Sequence, residues 1–207
     1  MTPWLIFGAG GKGVGALTAS LALTENRPVV VLVRNEEAAA KLREAGAQVI
    51  IGDACDADAV AAACLLAGKD ATVISTMGGS HDYQAHRTVI DCAEKAGISR
   101  MVLVTSLGCG ESWAYLSDRA KAAFGQAVRE KSLAESWLQT STLDFAIVRP
   151  GGLLHGEPTG TAALSQAAEI HGLVMRADVA AHVAELAKSS HLNHQVYGLV
   201  EPGLKPA

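Results

Sequence analysis

Residues 4–15 read Trp4-Leu5-Ile6-Phe7-Gly8-Ala9-Gly10-Gly11-Lys12-Gly13-Val14-Gly15, four apolar residues running into a glycine-rich turn. Val14, Leu17 and Leu21 follow at helical spacing, so the segment reads as strand, tight turn, helix. Gly8, Gly10 and Gly13 fit G-x-G-x-x-G in that context, although Gly11 and Gly15 permit shifted registers. Glycines let the chain turn sharply and let backbone N–H groups approach a pyrophosphate, which rests on the positive end of the helix. A mononucleotide P-loop is excluded. Ile6 stands where its first glycine belongs, and Gly13 stands where Ser or Thr would meet magnesium. The turn therefore points to a dinucleotide held by Gly8, Gly10, Gly11, Lys12, Gly13 and the helix start at Val14.

Outward from this turn, short apolar runs alternate with longer alanine-rich amphipathic stretches. The runs are Val29–Val33, Gln48–Ile51, Thr72–Ser75, Met101–Thr105, Phe145–Val148 and Gln195–Val200. Most are continuously apolar, the pattern of strands buried on both faces of a helix-covered parallel sheet. Helices are predicted over Ala38–Ala45, Ala59–Leu66, Gln84–Ala96, Lys121–Gln139 and Asp178–Lys188. Gly46, Gly68 and Gly97 provide stops for the first three. This alternation predicts an α/β Rossmann fold: a doubly wound, mostly parallel sheet with helices on both faces, in a single domain over residues 1–207. Residues 151–175 are glycine-rich and read as a pocket-forming segment.

Of the 207 residues, 49% are hydrophobic and 18% charged, enough to bury a sizeable core and unlike a disordered chain. A net charge of −4 without a basic run argues against nucleic acid as a partner. No apolar run approaches the ~20 residues of a membrane span. The first residues lack a basic region ahead of an apolar one, so no signal peptide is read and a cytoplasmic location is expected. Cys55, Cys64, Cys92 and Cys109 form no Cys-x-x-Cys and read as reduced thiols. His191-x-x-His194 lacks a third ligand, so no metal is expected. The partner expected is a small-molecule acceptor, bound by a monomer or weak homodimer.

An NAD site calls for Asp or Glu at the end of the second strand, to hold the ribose 2′-hydroxyl. Here that strand ends Leu32-Val33-Arg34-Asn35. Arg34 offers a positive fork for a 2′-phosphate and Lys12 a second charge, which favours NADP(H) over NAD(H). Asp53, in Gly52-Asp53-Ala54 after the third strand, could accept from an adenine amino group or serve only as a helix cap or solvated turn. Asp56 or Asp58 reads as a helix cap.

In their order along the chain, these motifs resemble the atypical short-chain dehydrogenases. They are Gly8–Gly15, Val33-Arg34-Asn35, Gly52-Asp53, Ser75-Thr76-Met77-Gly78-Gly79, Thr105-Ser106, Lys131, Arg149-Pro150-Gly151-Gly152 and Arg176–Ala180. The chain is most similar to the small NAD(P)H-binding members, the flavin reductase/biliverdin-IXβ reductase type and the nitrogen-metabolite-repression-type regulators. The resemblance implies that Ser75, Thr76, Met77 and Gly78 pass under the adenine-side ribose and pyrophosphate. It also implies that Thr105 and Ser106 end the fifth strand beside the nicotinamide, and that Lys131 contacts a ribose. Pro150, Gly151 and Gly152 would line the nicotinamide's other side through backbone groups.

Two departures bear on catalysis. The family's Tyr-x-x-x-Lys is represented only by Tyr115-x-x-x-Arg119, and Arg cannot deprotonate. The histidine that follows the sixth-strand proline in the biliverdin/flavin reductase type is replaced by Gly151, with His155 four residues later. Ser106, Tyr115 and His155 remain the candidate catalytic residues. The leading expectation is an NADPH-dependent reductase passing hydride to a flavin, quinone or related conjugated molecule. The alternative is a redox-sensing regulator that binds NADP(H) without turnover. A sugar-nucleotide epimerase is disfavoured, because it needs the Tyr–Lys pair and a larger substrate lobe.

Overall fold

The apolar runs become strands because each can bury both of its faces. The structure, a computed structural model, describes residues 1–205. The strands are β1 (Trp4–Phe7), β2 (Val29–Val33), β3 (Gln48–Ile51), β4 (Thr72–Ser75), β5 (Arg100–Val104), β6 (Asp144–Pro150), β7 (Gly152–Leu154), β8 (Ala163–Ser165), β9 (Leu173–Met175) and β10 (Gln195–Val200). The helices are α1 (Val14–Thr24), α2 (Glu36–Glu44), α3 (Ala57–Ala67), α4 (Asp82–Lys95), α5 (Asp118–Gln139) and α6 (Arg176–Lys188). One eight-stranded sheet has the order β3-β2-β1-β4-β5-β6-β10-β8. It is parallel except for β8, which runs antiparallel to β10 at the edge. This is the doubly wound α/β architecture that the alternation predicts.

Strand alternation divides the core into two layers. Trp4 and Ile6 of β1 pack with α1, α2 and α6, whereas Leu5 and Phe7 pack with α3, α4 and α5. The edge strand β3 is only half covered, which departs from the two-sided burial its apolar run suggests. The chain leaves β1 for β2 and β3, then returns to β4 on β1's other side. The crevice at the carboxyl ends of β1 and β4 is therefore the switch point where such sheets bind ligands.

The 151–175 segment is more ordered than its glycines suggest. β7 and β9 form a separate parallel two-stranded ladder, and β8 joins the main sheet. Strands of three residues carry no readable periodicity. No helix among the described residues is long and apolar enough to cross a membrane.

Candidate active site

The glycine turn works through three different contacts. Gly8 has a φ of +96°, and a Cβ there would lie 2.5 Å from Thr76 Oγ1. Gly15 is the close-packing glycine, since its Cβ would lie 2.6 Å from the Gly8 carbonyl oxygen. A Cβ at Gly10 would make only ordinary contact, no nearer than 3.5 Å to Val33, and one at Gly11 would meet nothing within 4 Å. The helix–strand packing role thus belongs to Gly15 rather than Gly13, which is the N-cap of α1. No side chain caps α1, so its first N–H groups are left for a ligand.

These elements enclose a cleft of about 390 Å³. Gly8, Gly10, Gly11, Arg34, Asp53, Ala54, Thr76, Met77 and Gly78 line it, so the structure brings together nine of the twenty predicted cofactor contacts. Arg34 is exposed and makes no ion pair among the described residues. The neighbouring Glu36 and Glu37 are drawn to Arg43 (2.6 Å) and Lys41 (2.7 Å) instead. Asp53 accepts the Cys55 N–H at 2.8 Å. That bond, followed by the Cys55 thiol and the Arg34 charge, holds its carboxyl below the usual range against a small burial cost. The open volume, the uncapped helix and the unpaired arginine fit a phosphorylated dinucleotide.

Several predicted contacts have other work. Gly52 lies outside the cleft and lets β3 approach α3, because its Cβ would stand 2.6 Å from Ala59 Cβ. Lys12 and Val14 do not line the cleft, Lys12 being exposed and Val14 buried. Ser75 is fully buried, with its hydroxyl 2.8 Å from His86 Nε2. His86 Nδ1 faces Asp82 Oδ1 at 2.8 Å, and Lys131 Nζ donates to Asp82 Oδ2 at 2.7 Å and to the Met77 carbonyl at 2.8 Å. Ser75 is therefore a support, and Lys131, expected to contact a ribose, is tied to Asp82 and the Met77 carbonyl. Burial opposes ionisation of Asp82, but His86 and Lys131 outweigh it and hold its carboxyl below the usual range.

The sixth-strand motif also differs from expectation. Gly151 N–H donates to the Leu199 carbonyl and Gly152 N–H to the Gly172 carbonyl, while the Pro150 carbonyl accepts from Leu107. These backbone groups are spent within the protein and are not free for a nicotinamide. A Cβ at Gly151 would collide with the Gly172 carbonyl oxygen, so the family's histidine has no room here. Thr105 is buried, and its hydroxyl donates to Glu135 at 2.6 Å. Ser106 is half-buried and held by the ladder that Thr105 and Leu107 extend with Val148 and Pro150. Its hydroxyl donates to the Leu107 carbonyl at 2.9 Å.

Tyr115 ends a 3-10 helical turn (Gly110–Tyr115), and α5 begins only at Asp118 behind the Ser117 cap. Tyr115 and Arg119 therefore do not share a helix, and the Tyr-x-x-x-Lys arrangement is not built. His155 is exposed and lines neither this cleft nor the cavity beyond it.

That second cavity, about 70 Å³, is bounded by Leu107, Glu111, Tyr115, Arg149, Ile170 and His171 among others. The buried Arg149 is gripped from two sides. Its Nε and Nη2 donate to Glu135 at 3.0 and 2.6 Å, and its Nη1 and Nη2 donate to Glu111 at 2.6 and 3.2 Å. Burial works against the Arg149 charge, but the two carboxylates raise its pKa beyond the ordinary arginine value. Beside them Cys109 is buried, and burial together with the Glu135 charge pushes its thiol up to about 12. Sequence reasoning missed this cluster. The available signal was a charged residue inside an otherwise apolar strand, which requires a buried partner.

Comparison with known proteins agrees with this geometry. The family model described as NAD(P)H-binding matches residues 8–190. A solved structure of ChuY, an anaerobillin reductase from Escherichia coli O157:H7, is 70% identical over the whole of both chains with a TM-score of 0.98. ChuY from the E. coli CFT073 strain is 66% identical over the whole of both chains, with a TM-score of 0.93. A Bacillus subtilis relative called an uncharacterized sugar epimerase, YhfK, is 28% identical over 95% of this chain and 92% of its own. With its glycine turn, open cleft and nearly full-length family match, this chain belongs to the NAD(P)H-binding family.

Proposed function

We propose that the chain is an NADPH-dependent reductase that delivers hydride to a planar conjugated acceptor, foremost a tetrapyrrole. The observation that carries this reading is the pairing of a dinucleotide cleft at the ends of β1 and β4 with a second cavity beyond β5 and β6. The near-identity in length and shape to an anaerobillin reductase supports the tetrapyrrole over a flavin or quinone. A reduced nicotinamide supplies the hydride when bound.

The chain's own residues bind and orient. Gly10, Gly11 and the α1 N-terminus receive the pyrophosphate, Arg34 the 2′-phosphate, and Asp53 the adenine edge. Lys131, fixed by Asp82, steadies the Met77–Gly78 turn along the cleft wall. Ser106 orients the groups at the end of β5. Residues 151–175 wall the acceptor side, a role supported by the presence of Gln166, Ile170 and His171 at the second cavity. Neither Tyr115 nor His155 is fixed by a hydrogen bond among the described residues, which favours solvent as the proton source.

Anaerobic stopped-flow mixing with NADPH and a linear tetrapyrrole, followed at the nicotinamide band, tests the reading. Oxidation of NADPH stoichiometric with acceptor is the expected result. Tight NADPH binding with no turnover of tetrapyrrole, flavin or quinone would favour the redox-sensing alternative.

A further inference from the structure

Arg149 holds two carboxylates of unequal character. Glu135 comes from the interior of α5 with its side chain 2% exposed, whereas Glu111 comes from the surface turn with its side chain 76% exposed. The fork toward Glu135 is permanent structure. The fork toward Glu111 opens on the second cavity, which both residues of that pair line. We propose that Arg149 anchors a carboxylate of the acceptor, and that Glu111 is the stand-in which that carboxylate displaces. The proposal rests on the second cavity being the acceptor pocket.

Three further observations support the exchange. The cavity measures about 70 Å³, well below the roughly 300–1,000 Å³ of small-molecule sites. A tetrapyrrole enters only if a wall withdraws, and Glu111 ties one wall to Arg149. That wall is preceded by Gly108 and Gly110, both at positive φ (+95° and +55°). A Cβ at Gly110 would lie 2.6 Å from Arg149 Nη2, so the turn is shaped to lie directly on the guanidinium. Finally, Leu107, Leu116, Ile170 and Val196 give the cavity apolar walls, with the Arg149 fork at one end. That arrangement suits a flat conjugated body carrying an acid arm. Replacing one carboxylate by another keeps the guanidinium N–H groups paired and leaves no buried charge exposed to an apolar neighbour.

The test is equilibrium binding of biliverdin and of biliverdin dimethyl ester to the NADP⁺-loaded protein, read by absorbance. Wild type should bind the diacid at least about tenfold more tightly than the ester. Glu111→Gln should tighten diacid binding by about three- to tenfold, because the competing carboxylate is gone. The double variant Arg149→Gln/Glu135→Gln removes both buried charges together, so neither is stranded. It should bind diacid and ester within about twofold of each other. Equal binding of diacid and ester by wild type, or weaker diacid binding by Glu111→Gln, would overturn the proposal while leaving the acceptor reading intact. Binding of neither compound by a protein that still binds NADP⁺ would overturn the acceptor reading and this proposal together.

Discussion

Arg34 sits exposed at the end of β2, facing the cleft, with the two nearby glutamates engaged elsewhere. Its guanidinium therefore has no competing carboxylate to leave if it is to take the proposed 2′-phosphate. Arg34→Ala should weaken NADPH binding by about tenfold to a hundredfold, from loss of a charge-assisted contact of roughly 1.5–3 kcal/mol, and leave NADH nearly unchanged. Titration of both cofactors checks this, and equal losses would refute the phosphate role. At the proton-transfer side, Tyr115→Phe and His155→Gln should each lower kcat less than tenfold, well short of the ~10²–10⁴ lost with a true general acid. Steady-state rates with a tetrapyrrole acceptor decide it. The place of Arg34 beside the cleft was legible in the sequence because it depends on one strand end. Gly151 was not, because what excludes a side chain there is the Gly172 carbonyl, brought in by the β7–β9 ladder.

Between elements, α4 and α5 are joined across the cleft wall by Asp82 and Lys131. Asp82 is buried, and its carboxyl is nevertheless held below the usual carboxylate range because His86 and Lys131 favour the charged form. A carboxyl depressed in the folded state contributes stability above its unfolded value. That contribution is lost as pH falls below about 4 toward the folded value. Lys131→Met removes one compensating charge and should cost about 1–3 kcal/mol at pH 7, a fall of several degrees in Tm. The deficit should shrink as pH falls from about 4 toward the wild type's folded value, because Asp82 takes up its proton first in the variant and then in the wild type. Melting curves from pH 7 to pH 3 test this; a deficit independent of pH would mean that Lys131 acts only by packing. Helix and strand positions were readable from periodicity, but this tie was not. Asp82 and Lys131 are far apart in sequence, and only the packing of α4 on α5 makes them neighbours. The same holds for Arg149 and Glu135, which the β6–α5 packing joins.

For the molecule as a whole, the fold and the cofactor cleft are separable, and the glycines of the first turn show where the division lies. The doubly wound, mostly parallel architecture was legible because continuous apolar runs and a strand–turn–helix signature leave few alternative topologies. The third glycine's register was not, since Gly13 and Gly15 differ only in what lies across from them. Gly15 packs against the Gly8 carbonyl and Thr76, so Gly15→Ala forces backbone apart at the β1–α1 junction. It should lower Tm of the free protein, with an overpacking cost of about 1–3 kcal/mol or more. Gly10 faces the cleft, and a Cβ there would make only ordinary contacts, the nearest 3.5 Å away on Val33. Gly10→Val should therefore leave the Tm of the free protein nearly unchanged while its branches fill the approach to the α1 N-terminus. NADPH at a hundred times its Kd stabilises a binding-competent fold by about 2.7 kcal/mol. That should raise wild-type Tm by several degrees and Gly10→Val by almost none. Thermal melts of the three proteins, each with and without NADPH, separate the roles. A Gly10→Val protein that melts early without cofactor, or that gains the full NADPH shift, would show that Gly10 serves the fold rather than the cleft.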